Sequence, residues 1–251
     1  MAMRYLLSRA ALPTVTRLAR ERTLCAFDFD GTLAPIAELP DQAAMRKRTR
    51  DLLRRLASLY PCIIVSGRNR ADVLKKLSGL HVAGVLGNHG AESGTTPGSR
   101  KDVKQWMAAL ELELAPMPGT WIEDKESCLA IHYRQSPQKA EARRRILAAA
   151  RKLKNVRVFG GKQVVNVVGD LAANKGHALA AARDRLQCNW VLYLGDDEND
   201  EDAFALGGNM VAVRIGRKQR THARYYLRTQ TEIDELLELL VQLREAEGRS
   251  R

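Results

Sequence analysis

Four separated stretches of this 251-residue chain end an apolar run, or open a helical one, with groups that can do chemistry. Leu24 to Phe27 runs into Asp28, Phe29, Asp30, Gly31 and Thr32, and Cys62 to Val65 runs into Ser66, Gly67 and Arg68. Lys175 follows Asn174 at the head of a helical pattern, and Trp190 to Leu194 runs into Gly195, Asp196, Asp197 and then Asp200. Short apolar runs read as buried strands. Carboxylates at their ends are costly unless paired or bound to a cation. Two acidic stations far apart in sequence can share one hard divalent ion, and Mg2+ accepts one or two carboxylates beside water and phosphate oxygens. Asp28, Asp30, Asp196 and Asp197 are therefore the candidate Mg2+ residues. The chain has neither an EF-hand loop nor the H-E-x-x-H or P-loop motif.

A carboxylate, a magnesium ion, a lysine and a hydroxyl together suit phosphoryl transfer. Asp28 can attack phosphorus and form an aspartyl-phosphate, which divides hydrolysis into two easier steps. Asp30 can protonate the leaving oxygen and then deprotonate the attacking water. Mg2+ and Lys175 can neutralise charge on the phosphoryl oxygens. Thr32, Ser66 and Gly67, with Lys175, are the candidate phosphate-binding residues.

The elements that must position these groups follow from the pattern of the chain. The strands at 24–27, 62–65 and 82–86 alternate with helices expected at 42–58, with Ala44 inward, and at 70–77. Each strand ends in a polar, glycine-containing loop, the third being Gly87-Asn88-His89-Gly90. This alternation predicts an α/β, doubly wound parallel-sheet (Rossmann-like) core, with ligands beyond the carboxyl ends of the strands. The rhythm breaks after a loop at 93–100. A helix at 101–115, strands at 119–123 and 127–133, a basic helix at 137–153, and strands at 156–159 and 163–168 give an αββαββ order. That reads as an inserted α+β cap over 96–170, between core segments 1–95 and 171–251. The core then resumes with a helix at 175–186, strands at 190–194 and 210–213, an edge strand at 225–227 and an amphipathic helix at 231–246. The first 20 residues, with Arg4, Arg9, Arg17 and Arg20 and no acid, are expected to be a short helix packed on the core's edge.

Composition narrows the function classes. The net charge of +12 favours anionic partners. Aromatic residues make up 5%, and no recognition motif accompanies the basic residues, which argues against a nucleic-acid partner. No apolar run is long enough to span a bilayer. Cys25, Cys62, Cys128 and Cys188 are widely spaced without metal-like spacing, and each is expected to be buried and reduced, consistent with a cytoplasmic location.

Asp28-Phe29-Asp30-Gly31-Thr32-Leu33, Ser66, Lys175 and Gly195-Asp196-Asp197 with Asp200 resemble, in order, the four motifs of the haloacid dehalogenase-like phosphatases. The insertion resembles that family's type IIB cap. A narrower resemblance, to the trehalose-6-phosphate phosphatases, rests on Phe27 to Ile36, Ser66-Gly67-Arg68 and Gly87 to Glu92. It rests also on Glu123-Asp124-Lys125 and His132-Tyr133-Arg134. The resemblance implies Mg2+-dependent hydrolysis of trehalose 6-phosphate by a monomer, with Glu123 and Lys125 contacting the sugar phosphate from the cap. Arg68, His89, Arg134 and Asn166 are the further candidate substrate-binding residues, although His89 reads equally as a hydrogen-bonded loop residue. Asn166 stands where the family usually has Glu, and Asn199 where it has Thr. Another sugar phosphate, such as sucrose phosphate or a glucosyl- or mannosyl-phosphoglycerate, therefore remains an alternative substrate. A non-enzymatic sugar-phosphate sensor is the other reading, and the complete set of motif residues argues against it.

Overall fold

The computed structural model describes residues 3–93, 100–114, 117–126, 128–161, 163–170 and 174–249. The chain divides into two compact units, one of Met1–Gly90, Lys175–Asp196 and Asp200–Arg251, the other of Ala91–Asn174 with Asp197–Asn199. Residues 95, 96 and 171, where the sequence sets the domain limits, lie outside the described residues, as does most of the expected loop at 93–100.

In the first unit the chain runs β1 (Arg4–Tyr5), α1 (Leu12–Arg20), β2 (Thr23–Phe27), α2 (Lys47–Leu59), β3 (Cys62–Val65), α3 (Arg70–Lys76) and β4 (Gly84–Leu86). The second unit contributes α4 (Arg100–Leu114), β5 (Trp121–Asp124), β6 (Cys128–His132), α5 (Lys139–Ala150), β7 (Val156–Gly161) and β8 (Val164–Gly169). The first resumes with α6 (Lys175–Arg185), β9 (Trp190–Gly195), α7 (Glu201–Phe204), β10 (Met210–Ile215), β11 (Tyr225–Leu227) and α8 (Ile233–Arg249).

The first unit's sheet has the order β1-β11-β10-β9-β2-β3-β4, and its paired strands are all parallel. Alternation along a strand assigns its two faces. Cys25 and Phe27 pack with residues of α1, α2, α3 and α8, whereas Leu24 and Ala26 pack with residues of α6 and α7. A strand buried on both faces reads as a continuous apolar run, which is why β2, β3 and β9 are visible in the sequence. All four cysteines are buried and outside any disulfide.

Three details differ from the sequence reading. The amino-terminal segment contains a strand as well as a helix, and Pro13 sits in the first turn of α1, where a missing N–H costs nothing. Tyr225–Leu227 is not at the edge, because β1 pairs outside it. Helix α2 starts at Lys47, five residues late: Arg46 is extended (φ −60°, ψ 149°), and Ala43 rather than Ala44 is buried.

The second unit shows the expected αββαββ order, with an antiparallel sheet ordered β5-β6-β8-β7. Leu129, Ile131, Val165 and Val167 pack against Trp106 and Leu110 of α4 and Ala142 and Ile146 of α5. The alternate residues lie on the face of that sheet turned away from α4 and α5.

Candidate active site

The central strands β2 and β9 end side by side, and the Asp28 N–H continues their ladder by donating to the Leu194 carbonyl at 2.9 Å. Asp28, Asp196 and Asp200 come together there, all buried, with one carboxylate oxygen of each within 4.8 Å of the others. Lys175, the first residue of α6, is fully enclosed and donates from Nζ to Asp28 and to Asp200, each at 2.7 Å. The Tyr193 hydroxyl donates to the same Asp200 oxygen at 2.7 Å, and the Asp196 N–H donates to the other at 2.9 Å. Asp200 can fold back in this way because Gly195 lacks a side chain: a Cβ there would lie 2.3 Å from the Asp200 carboxyl carbon.

Burial pushes the Asp28 carboxyl well above the usual range; Lys175 pulls it down, and the Asp200 and Asp196 carboxylates push it up again. Burial also works against the charge on Lys175, but Asp200 and Asp28 together outweigh it and hold the ammonium above its ordinary value. The Tyr193 phenol is pushed well up by burial and by Asp200, so it remains a donor.

Asp30 belongs to a second group. Its carboxylate accepts both arms of the Arg68 guanidinium, at 2.6 and 2.8 Å, and Arg68 also reaches Asp72 at 2.7 Å. An arginine that holds a carboxylate by two parallel bonds fixes its orientation. Ser66 is buried, and its Oγ accepts the Arg68 N–H at 3.2 Å. The His89 N–H donates to the Ser66 carbonyl at 2.9 Å, and the His89 ring lies so close over Gly67 that a Cβ would sit 2.5 Å from its Cε1. Thr32 is buried, and its hydroxyl has no hydrogen-bond partner among the described residues. The first unit thus brings Asp28, Asp30, Thr32, Ser66, Gly67, Arg68, His89, Lys175 and Asp196 to the carboxyl ends of its strands.

Asp197 lies outside the three-carboxylate cluster, its Oδ1 accepting the Glu198 N–H at 2.7 Å. Asp200 completes the cluster. In the second unit, the Glu123 carboxylate accepts from His132 Nε2 at 2.7 Å, with Lys125 Nζ 3.8 Å away; Asn166 is buried and Arg134 half-buried. Sequence reasoning missed Tyr193, which reads as one more strand residue, and Asp72, whose only signal is its four-residue spacing from Arg68.

Comparison with known proteins decides the family. A trehalose-phosphatase family model matches residues 26–230. The chain belongs to the trehalose-phosphatase family. The trehalose-phosphate phosphatase of Mycobacterium tuberculosis is 32% identical over 216 residues, covering 79% of this chain and 54% of that protein. The probable trehalose-phosphate phosphatase 2 of Oryza sativa is 30% identical over 275 residues, covering 92% and 71%. The chain therefore spans about half the length of the mycobacterial relatives it matches. In fold it resembles the C-terminal domain of the C. albicans trehalose-6-phosphate phosphatase, at a TM-score of 0.77 and 24% identity over 96% of this chain and 99% of that one. The Aspergillus fumigatus trehalose-6-phosphate phosphatase aligns at a TM-score of 0.63 and 26% identity, with 96% and 99% covered.

The donors of the three-carboxylate cluster fit a divalent cation. They are carboxylate oxygens, which hard cations prefer. Three carboxylates and one ammonium leave two negative charges in a buried place, and a 2+ ion removes that imbalance.

Proposed function

We propose that this protein is a Mg2+-dependent phosphatase that hydrolyses trehalose 6-phosphate to trehalose and phosphate. The observation that carries the reading is Lys175, fully buried yet charged, bridging Asp28 and Asp200 beside Asp196. In this reading Asp28 attacks phosphorus while the bond to the sugar oxygen breaks. Asp30 gives that oxygen a proton, then takes one from the water that cleaves the aspartyl-phosphate. Lys175, the Thr32 and Ser66 hydroxyls and backbone N–H groups near Gly67 hold the phosphoryl oxygens. Asp28 and Asp196, with Asp30 or Asp197, would hold Mg2+, which would supply electrostatic stabilisation of the developing charge. Arg68 aims Asp30, and Glu123, Lys125, Arg134, Asn166 and His89 bind the sugar phosphate. A cytoplasmic monomer is part of the reading; among the described residues no helix is long and apolar enough to cross a membrane.

Asn166 favours one second reading. It is buried and lacks the charge of the glutamate usual in the family, which suits a different sugar phosphate. A phosphate-release panel decides: trehalose 6-phosphate, sucrose 6-phosphate, glucose 6-phosphate and glucosyl- and mannosyl-phosphoglycerate, with wild type and Asp28→Asn. The expected result is a clear preference for trehalose 6-phosphate and no turnover by a folded Asp28→Asn. Comparable rates on every sugar remove the trehalose assignment, and turnover by Asp28→Asn at the wild-type rate removes the mechanism.

A further inference from the structure

The face of the second unit's sheet turned away from α4 and α5 has a definite order. Ile122 packs with the helices, so its neighbours Trp121 and Glu123 face the other way. Register then builds two rows across the strands. One is Trp121, His132, Val164 and Gly161; the other is Glu123, Ala130, Asn166 and Phe159. Trp121 is the exception on this face. It is a large aromatic residue with 44% of its surface open, on the edge strand of the sheet. Its indole stacks on the His132 imidazole, with centroids 4.6 Å apart and planes 11° from parallel, and His132 in turn is bonded to the Glu123 carboxylate at 2.7 Å. The indole and the carboxylate are therefore two ends of one linked unit.

We propose that Trp121 is a specificity-determining residue that receives one hexopyranose ring of the substrate on its indole. A pyranose carries C–H groups on its faces and hydroxyls around its rim. The matching surface is a flat apolar ring with a hydrogen-bonding carboxylate one ring-width away. Residues two apart on a strand are separated by about 6.7 Å, so Trp121 covers the C–H face while Glu123 takes rim hydroxyls. Stacking on His132 keeps the indole plane fixed before the sugar arrives, which lowers the ordering cost of binding. An indole combines a flat apolar face with a polar N–H, which suits a ligand of mixed character. The same ring gives little to a small acyclic phosphate ester, which has no ring face to lay on it. Trp121 thus separates recognition of the sugar from the phosphoryl chemistry.

This inference rests on the sugar-phosphate reading above. It is tested on the 251-residue protein with Mg2+, using Trp121→Ala, Trp121→Phe and wild type against trehalose 6-phosphate, glucose 6-phosphate and the acyclic ester glycerol 2-phosphate. The expected result for Trp121→Ala is a KM for trehalose 6-phosphate raised about tenfold with kcat held within about twofold, a shift characteristic of lost binding rather than lost chemistry. The preference for trehalose 6-phosphate over glycerol 2-phosphate, taken as a ratio of kcat/KM values, falls by the same factor. Trp121→Phe keeps a ring and recovers most of the loss. A preference ratio unchanged in Trp121→Ala overturns the assignment. So does Trp121→Phe failing as badly as Trp121→Ala, or a parallel loss on both substrates, which marks a structural role. If wild type turns over another pyranosyl phosphate instead, the trehalose assignment fails alone, and the same ratio measured on that ester judges Trp121. If wild type cleaves glycerol 2-phosphate but no sugar phosphate, both fall.

Discussion

Tyr193→Phe removes one oxygen from the floor of the site and nothing else. The phenol donates at 2.7 Å to an Asp200 oxygen that also receives Lys175, and neither Tyr193 nor Asp200 has any exposed surface. Phenylalanine fills the same space, so no cavity term enters. The loss is one buried hydrogen bond to a charged group, about 1.5–3 kcal/mol. In a chain of this size each kcal/mol moves the melting temperature by about 2–4 °C, which puts the expected drop at about 3–12 °C. Burial and Asp200 hold the phenol's pKa far up, so the bond is intact from neutral to mildly alkaline pH and the drop is the same throughout that window. Asp200 also anchors Lys175, so kcat falls with stability, while KM for the sugar phosphate is little changed. Calorimetry of wild type and variant, with phosphate-release kinetics on the same preparations, provides the measurement. A melting temperature within about 1 °C of wild type and an unchanged kcat would refute the view that Tyr193 holds the Asp200–Lys175 pair.

Lys175→Met leaves three buried carboxylates without their ammonium, and the metal-free protein should lose about 3–5 kcal/mol. Millimolar Mg2+ should recover part of that, seen as a larger Mg2+-induced rise in melting temperature than in wild type. Gly67→Ala places a Cβ 2.5 Å from the His89 ring; the expected outcome is a displaced imidazole and a kcat/KM on trehalose 6-phosphate lower by about tenfold or more, read by initial rates. Arg68→Lys loses the two-armed hold on Asp30. Its kcat should fall about 10–100-fold on sugar phosphates and far less on p-nitrophenyl phosphate, whose leaving group needs no proton. The hydrogen bond from Arg100 holds the Asp124 carboxyl below its ordinary value. Its contribution is complete above that ordinary value and disappears as pH falls through the lowered one. The pair is partly exposed, so Asp124→Asn should cost under about 1 kcal/mol at neutral pH, and an acid titration followed by circular dichroism should show the difference vanish at low pH.

How far residues could be read from the chain depended on what each one buries. Strands β2, β3 and β9 are enclosed on both faces, so their apolar runs stand out, and the carboxylates at their ends are conspicuous by contrast. Strand β1 has two residues, Arg4 and Tyr5, too few for any period. The start of α2 was misplaced because Ala43 and Ala44 carry little hydrophobic signal, and Arg46 takes an extended conformation that nothing in its type demands. Within the site, Asp28, Ser66 and Lys175 announced themselves by interrupting a pattern. Tyr193 did not, since a tyrosine inside an apolar strand looks like core until its hydroxyl is seen to point at Asp200. Trp121 was silent for a related reason: its partner His132 is eleven positions away and becomes a neighbour only through the register of β5 on β6.

The sheet order has a consequence for biosynthesis. Strand β2 lies between β3 and β9, and β9 begins at Trp190. While the ribosome is still extending the second unit, β2, β3 and β4 can already pair, but one whole side of β2 has no neighbour. Its backbone groups and the apolar run Leu24 to Phe27 stay available to any other extended chain until β9 emerges. Chains released before residue 190 would carry that open edge permanently, and they should collect in aggregates and at chaperones while the full-length protein does not.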